Sequence, residues 1–218
     1  MEIRTITNTP KTTFTSLKSP IQPVKILSQM GEITMQEATK TDIEPVAKLI
    51  RKKETLSYKI RHLYGPREKT RQAREEFKAM NKYQWLKDIK NMLNNMLQKP
   101  DGNSSLLVAK NKDGKVIGFA TMQSLDGVSK PIGVIDNAYL EYQYRNENIG
   151  EHLLFNILKA AKNQFTHVVT KIIPLDFGHN SYYSRGFRTI PKDSPDAEFL
   201  HKKFDTESHI SWGIKKIQ

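Results

Sequence analysis

Between Tyr139 and Gly150 the chain reads Tyr-Leu-Glu-Tyr-Gln-Tyr-Arg-Asn-Glu-Asn-Ile-Gly, and Arg145, Asn148 and Gly150 within it are residue types suited to holding a phosphate. An apolar, strand-like run precedes them and an amphipathic run follows, which puts them in a turn between a strand and a helix. The first amides of a helix lack intrahelical partners and point outward. With the partial positive charge of the helix dipole they make a seat for a pyrophosphate. Close approach of the backbone needs a residue with no side chain or one that tolerates left-handed backbone, and after glycine asparagine is among the best suited. The chemistry expected of this turn is anion binding through the main chain.

The neighbouring elements follow from periodicity and turn signals. GVIDNAYL (133–140) is expected to be a strand, and IGEHLLFNILKAAKNQF (149–165) a helix with Leu153, Leu154, Ile157, Leu158 and Ala161 on its apolar face. Upstream, two apolar runs flank Asp113-Gly114, a strong hairpin signal. EITMQEA (32–38) alternates as a strand, and Thr41 to Glu44 has capping-box spacing ahead of a helical face of Ile43, Val46, Ala47, Leu49 and Ile50. Downstream come a strand at HVVTKIIPL, a short helix in FGHNSYYSRGF ending at Gly186, and a last strand with Ile210, Trp212 and Ile214 on one face.

Charge is uneven along the chain. The sequence of 218 residues carries 35 Lys and Arg against 23 Asp and Glu, a net charge of +12. Residues 57–99 alone hold eleven basic residues and four acids in a helical pattern, with Tyr83, Leu86, Ile89, Leu93, Met96 and Leu97 at helical steps. This basic helical region reads as a solvated face; the alternative is a surface for nucleic acid or an acidic partner. Its aromatics, Tyr58, Tyr64, Phe77, Tyr83 and Trp85, are expected mostly in the core. With no cysteine, disulfides, thiolate nucleophiles and Cys-ligated metals are excluded, and a cytoplasmic setting is the expectation. The six histidines are scattered without metal-ligand spacing, so no metal is expected. No apolar run approaches the roughly 18 residues that span a bilayer. Residues 1–30, rich in Ser, Thr and spaced Pro with Glu2 the single acid, read as a flexible arm, or alternatively as a targeting segment, ahead of one domain over 31–218.

The segment Arg145-Asn146-Glu147-Asn148-Ile149-Gly150 resembles the acetyl-CoA signature of the GNAT N-acetyltransferase superfamily, Arg/Gln-x-x-Gly-x-Gly/Ala, with Asn148 in place of the family's glycine. The order of elements from about Glu32 to Ile217, including Tyr182 to Phe187 in the pattern Tyr-x-x-x-Gly-Phe, is similar to that family throughout. The resemblance implies an α+β fold, a mostly antiparallel central sheet with splayed strands flanked by helices. It also implies acetyl-CoA as co-substrate, with its pantetheine arm along Tyr139 and Leu140 and its diphosphate on the amides of residues 145–151, Glu151 included. By the same resemblance Tyr182, with Tyr183 competing, would protonate the departing thiolate, Asp136 would accept the ammonium proton, and Asn180 would contact the pantetheine arm or cap a helix. The implied activity is transfer of an acetyl group to a primary amine on a small molecule or protein. The alternative is a non-catalytic module of the same fold that binds RNA, ribosomes or an acidic partner.

Overall fold

A computed structural model describes residues 22–64, 82–98, 104–126, 128, 131–145, 147–162, 164–172, 179–204, 206 and 210–218. Eight strands form one sheet: β1 Val24–Ser28, β2 Gly31–Glu37, β3 Ser104–Lys110, β4 Val116–Ser124, β5 Ile132–Leu140, β6 His167–Ile172, β7 Arg188–Thr189 and β8 Ser211–Lys216. The helices are α1 Ile43–Tyr64, α2 Lys82–Gln98, α3 Ile149–Ala161, α4 His179–Ser184 and α5 Pro195–Lys203. No described helix is long and apolar enough to cross a membrane.

The strand order is β1-β2-β3-β4-β5-β6-β8-β7, and every pairing is antiparallel except β5 with β6. That parallel pair is joined through α3, the kind of long crossover that parallel neighbours require. The apolar runs of β3 and β4 are buried along nearly their whole length because both faces of the sheet are covered. One face packs Ile33, Leu107, Ile117, Met122 and Ile135 against Leu153, Leu154, Ile157 and Leu158 of α3. The other carries two clusters. Val46, Ala47 and Ile50 of α1 and Leu93 of α2 cover Leu106, Val108 and Phe119, while Ala197 and Leu200 of α5 cover Val134, Val169 and Trp212.

Several expectations are corrected. Val24–Ser28, assigned to the arm, pair with Gly31–Met35 as an edge strand; residues 1–21 lie outside the described residues. The first helix is capped two residues earlier than the spacing indicated. Asp42, not Glu44, reaches back, its carboxylate accepting from the Thr39 amide and hydroxyl at 2.9 Å, and a 3-10 turn, Lys40–Asp42, leads into α1. The pull on Asp42 is tertiary: Lys110 of β3 pairs with it at 2.7 Å. Glu44 instead pairs with Lys48 and Lys90. Of the basic region 57–99, the described parts are the end of α1 and α2; Leu93 is buried, whereas Tyr83 is exposed rather than in the core. Helix α5 was not anticipated, although Ser194 caps it by accepting from the Ala197 amide and Pro195 opens it.

Candidate active site

Strands β5 and β6 stay paired over four residues only, from Ile132↔His167 to Ile135↔Thr170, with the Thr170 hydroxyl donating to the Ile135 carbonyl at 3.1 Å as the last link. Beyond it the pairing of the two strands ends, and β5 continues to Leu140 on β4 alone. The parting begins at a bulge. The β4–β5 register steps from Met122↔Ile135 to Thr121↔Asn137, which leaves Asp136 as the extra residue and bends the strand there. The Asn137 amide donates to the Thr121 hydroxyl at 3.0 Å, and the Glu141 amide to the Ile117 carbonyl at 2.9 Å, so odd-numbered residues of this stretch face β4. By the alternation of an antiparallel ladder, the main-chain groups of Ala138 and Leu140 then face the opened edge.

At the end of β5 the chain makes a 3-10 turn, Tyr142–Tyr144, and enters α3 through Asn148, which has φ 58 and ψ 3. Asn148 is the one non-glycine residue with positive φ among the described residues. Left-handed backbone explains why this position takes glycine or asparagine. The Asn148 side chain makes no capping hydrogen bond, so the first amides of α3 stay open to an external acceptor. A Cβ on Gly150 would come no closer than 3.9 Å to any neighbour, so nothing inside the protein demands glycine there; the bare surface faces outward. The two acids of the turn are drawn off it. Glu147 accepts from the Gln29 amide at 2.7 Å, and Glu151 accepts from Arg185 at 2.8 Å, which clears negative charge from the open amides. Arg145 folds back: its Nε donates to the Leu140 carbonyl at 3.0 Å, with its guanidinium over the rings of Tyr139 and Tyr142.

Helix α4 ends at Ser184, and two residues later Gly186, with a φ of 81, turns the chain. Tyr182 packs edge-on to Phe187, ring centroids 5.5 Å apart, and lies against the cluster containing Leu140, Ile149 and Leu153. Tyr183 turns the other way, its hydroxyl 2.8 Å from that of Thr189, and is exposed.

A profile of the acetyltransferase (GNAT) family matches residues 60–187, more than half of the chain. The chain belongs to the GNAT family. Solved structures with the same fold include the PaiA N-acetyltransferase of Thermoplasma acidophilum in complex with coenzyme A (18% identity, 84% of this chain and 98% of that one, TM-score 0.56). They also include the N-acetylglutamate synthase of Neisseria gonorrhoeae with coenzyme A and N-acetyl-glutamate (17%, 85% and 35%, 0.55). A third is a ribosomal-protein-alanine N-acetyltransferase of Brucella melitensis (16%, 84% and 98%, 0.54). A comparison with curated proteins gave no match. The last two structures, at equal likeness, are named for different acceptors, so likeness carries the fold and leaves the acceptor open.

In this GNAT chain the structure brings together most of the residues singled out by sequence. Arg145, Glu147, Asn148, Ile149, Gly150 and Glu151 form one turn beside the parted strands; Asn146 lies outside the described residues. Leu140 faces the opening, although its carbonyl is taken by Arg145, whereas Tyr139 turns its main chain to β4. Asp136 sits where the strands part, ion-paired with Lys171 at 3.2 Å. Asn180 lies in α4. Sequence reading missed Ala138, Lys53 and Lys171. The last two bond the bulge residues, Lys53 reaching the Asn137 amide oxygen at 2.6 Å, and no local spacing announces either contact.

Proposed function

We propose that the protein transfers the acetyl group of acetyl-CoA to a primary amine by direct attack. The observation that carries this reading is the left-handed, uncapped turn at Asn148 lying beside the opening between β5 and β6. It keeps the backbone shape that the family's glycine would give, which argues against a turn that has lost its cofactor. Acetyl-CoA supplies an acyl carbon activated as a thioester. The amides of residues 149–151 hold the diphosphate, and the main chain of Ala138 together with Asn180 contacts the pantetheine arm. Asp136 takes the ammonium proton from the acceptor, directly or through water, so that the amine attacks as a neutral nucleophile. The Tyr182 hydroxyl, on the packed side of α4, protonates the departing sulfur, while Tyr183 is held toward Thr189. Positioning of the two substrates supplies most of the acceleration.

The test is a thermal shift with acetyl-CoA on the protein and on a variant with Arg145→Ala and Gly150→Trp. At a hundredfold excess over Kd a single site adds about 2.7 kcal/mol to stability. The expected outcome is a clear rise in Tm that the variant loses. No rise at saturating acetyl-CoA removes the transferase reading and leaves a binding module of the same fold, whose affinity for RNA or an acidic partner would fall steeply with salt.

A further inference from the structure

The sheet face under α1, α2 and α5 is divided. Phe119 and Tyr139 belong to the cluster under α1 and α2, and Val134, Val169 and Trp212 to the cluster under α5. Between them lies a polar strip formed by Thr121, Asp136, Asn137 and Lys171. It is located at the point where β5 and β6 part, since Asp136 and Lys171 each directly follow the last bonded pair, Ile135↔Thr170. The bulge presents Asp136 and Asn137 side by side, and each receives a lysine from a different wall. Lys53 of α1 donates to the Asn137 amide oxygen at 2.6 Å, and Lys171 of β6 donates to the Asp136 carboxylate at 3.2 Å. The Lys171 ammonium also lies 5.3 Å from the ring centroid of Phe204 and 5.8 Å from that of Trp212, and its side chain is 24% exposed.

We propose that this strip selects an amine whose own carboxylate lies next to the reacting nitrogen, namely a free α-amino acid. The inference rests on the transferase reading above. An amine without a carboxylate would add a third cation beside Lys53 and Lys171 and leave Lys171 without its counter-ion when it took Asp136. A zwitterion exchanges partners instead: its ammonium takes Asp136, its carboxylate takes Lys171 and Lys53, and the net charge of the strip is unchanged. The Asp136 and Lys171 groups are within hydrogen-bond distance of each other, so the two charges they recognise must also be close, as on one α-carbon. In the reaction the acceptor ammonium gives a proton to Asp136. Its nitrogen then bonds to the thioester carbon as the carbon–sulfur bond breaks. The sulfur leaves with the Tyr182 proton as the CoA thiol, and the second proton of the nitrogen passes through solvent to the Tyr182 oxygen. Asp136 returns its own proton to solvent, and the other product is the N-acetyl amino acid.

The experiment measures thiol release from acetyl-CoA with the free amino acids, the matching amino-acid amides and simple primary amines. Expected is a kcat/KM for at least one free acid at least about tenfold above its amide, carried mainly by KM, because the site's cations are left facing a neutral amide. Lys171→Met should bring the acid-to-amide ratio close to one, and Lys171→Arg should keep the preference. Equal turnover of acids and amides, or a preference that survives Lys171→Met in a folded variant, overturns the proposal. So does failure of every amino acid while acetyl-CoA still raises Tm, a result that leaves the cofactor reading standing; absence of that rise removes the cofactor reading itself.

Discussion

The two halves of the site are made in different ways. On the proposed cofactor side the groups are main-chain amides of one short run, residues 149–151, that follows a single left-handed residue. On the proposed acceptor side they are side chains from separate elements: Lys53 on α1, Asp136 and Asn137 on the β5 bulge, and Lys171 on β6. A ligand with fixed chemistry is held by backbone and tolerates a change such as glycine to asparagine, provided that the conformation survives.

Substitutions at four positions sharpen this contrast. The largest effect is expected from Tyr182→Phe, which removes one hydroxyl from a well-packed ring: kcat should fall by about 100-fold, a typical share for a general acid, with Tm nearly unchanged. Equal activity would move the proton donor elsewhere. Next is Asp42→Asn, at the start of the α1 wall. Although burial acts to raise the Asp42 carboxyl, its bonds with Lys110 and Thr39 outweigh that and hold it below its usual value. The stability it contributes is therefore present above the unfolded value of 3.8 and is lost as pH falls through the lower, folded one. Losing it at neutral pH leaves Lys110 without its charge partner and should cost about 3 kcal/mol in urea unfolding.

Asn148→Val forces a β-branched residue into left-handed backbone and should cost about 1–2 kcal/mol along with acetyl-CoA affinity, while Asn148→Gly should keep both. If Val were tolerated, the left-handed turn would not be what fits the cofactor. The smallest effect concerns Glu54 of α1. Burial raises its carboxyl, and Lys53, Arg51 and the indole N–H of Trp85 offset that only in part. An acid whose folded pKa is raised has its favourable contribution below the unfolded value of 4.5 and loses it as pH rises through the folded one. Glu54→Gln should thus gain about half a kcal/mol at pH 7, allowing for solvent screening, and less near pH 4, as read by thermal melts across pH.

The cofactor half was legible because everything it needs is written locally: a strand, Asn and Gly at a fixed interval, then an amphipathic helix. The hairpin at Asp113-Gly114 and the helix end at Gly186 were legible for the same reason, both glycines having positive φ. What was missed depends on distant partners. Thr39-Lys-Thr-Asp42 is also a capping spacing, and Lys110, far along the chain, decides between it and Thr41 to Glu44. The strand Val24–Ser28 exists through its pairing with β2, and its own residues alternate too briefly to announce it. The cleft lysines belong with the missed features, since Lys53 and Lys171 meet adjacent residues of β5 only once α1 and β6 are in place. Helix α5 differs: its cap, its leading proline, its early acids Asp196 and Glu198 and its late bases His201, Lys202 and Lys203 are all local signals.

The hydrogen bond from the Gln29 amide to the Glu147 carboxylate joins the tip of the edge hairpin to the turn that opens α3. That amide is exposed, in a short two-residue connection, and its protection against solvent exchange depends on a carboxylate that belongs to the turn before α3. Any event that stiffens or loosens the turn at Asn148 is thereby recorded in the exchange lifetime of one proton at the rim of the sheet, where a labelled backbone can be watched without touching the site.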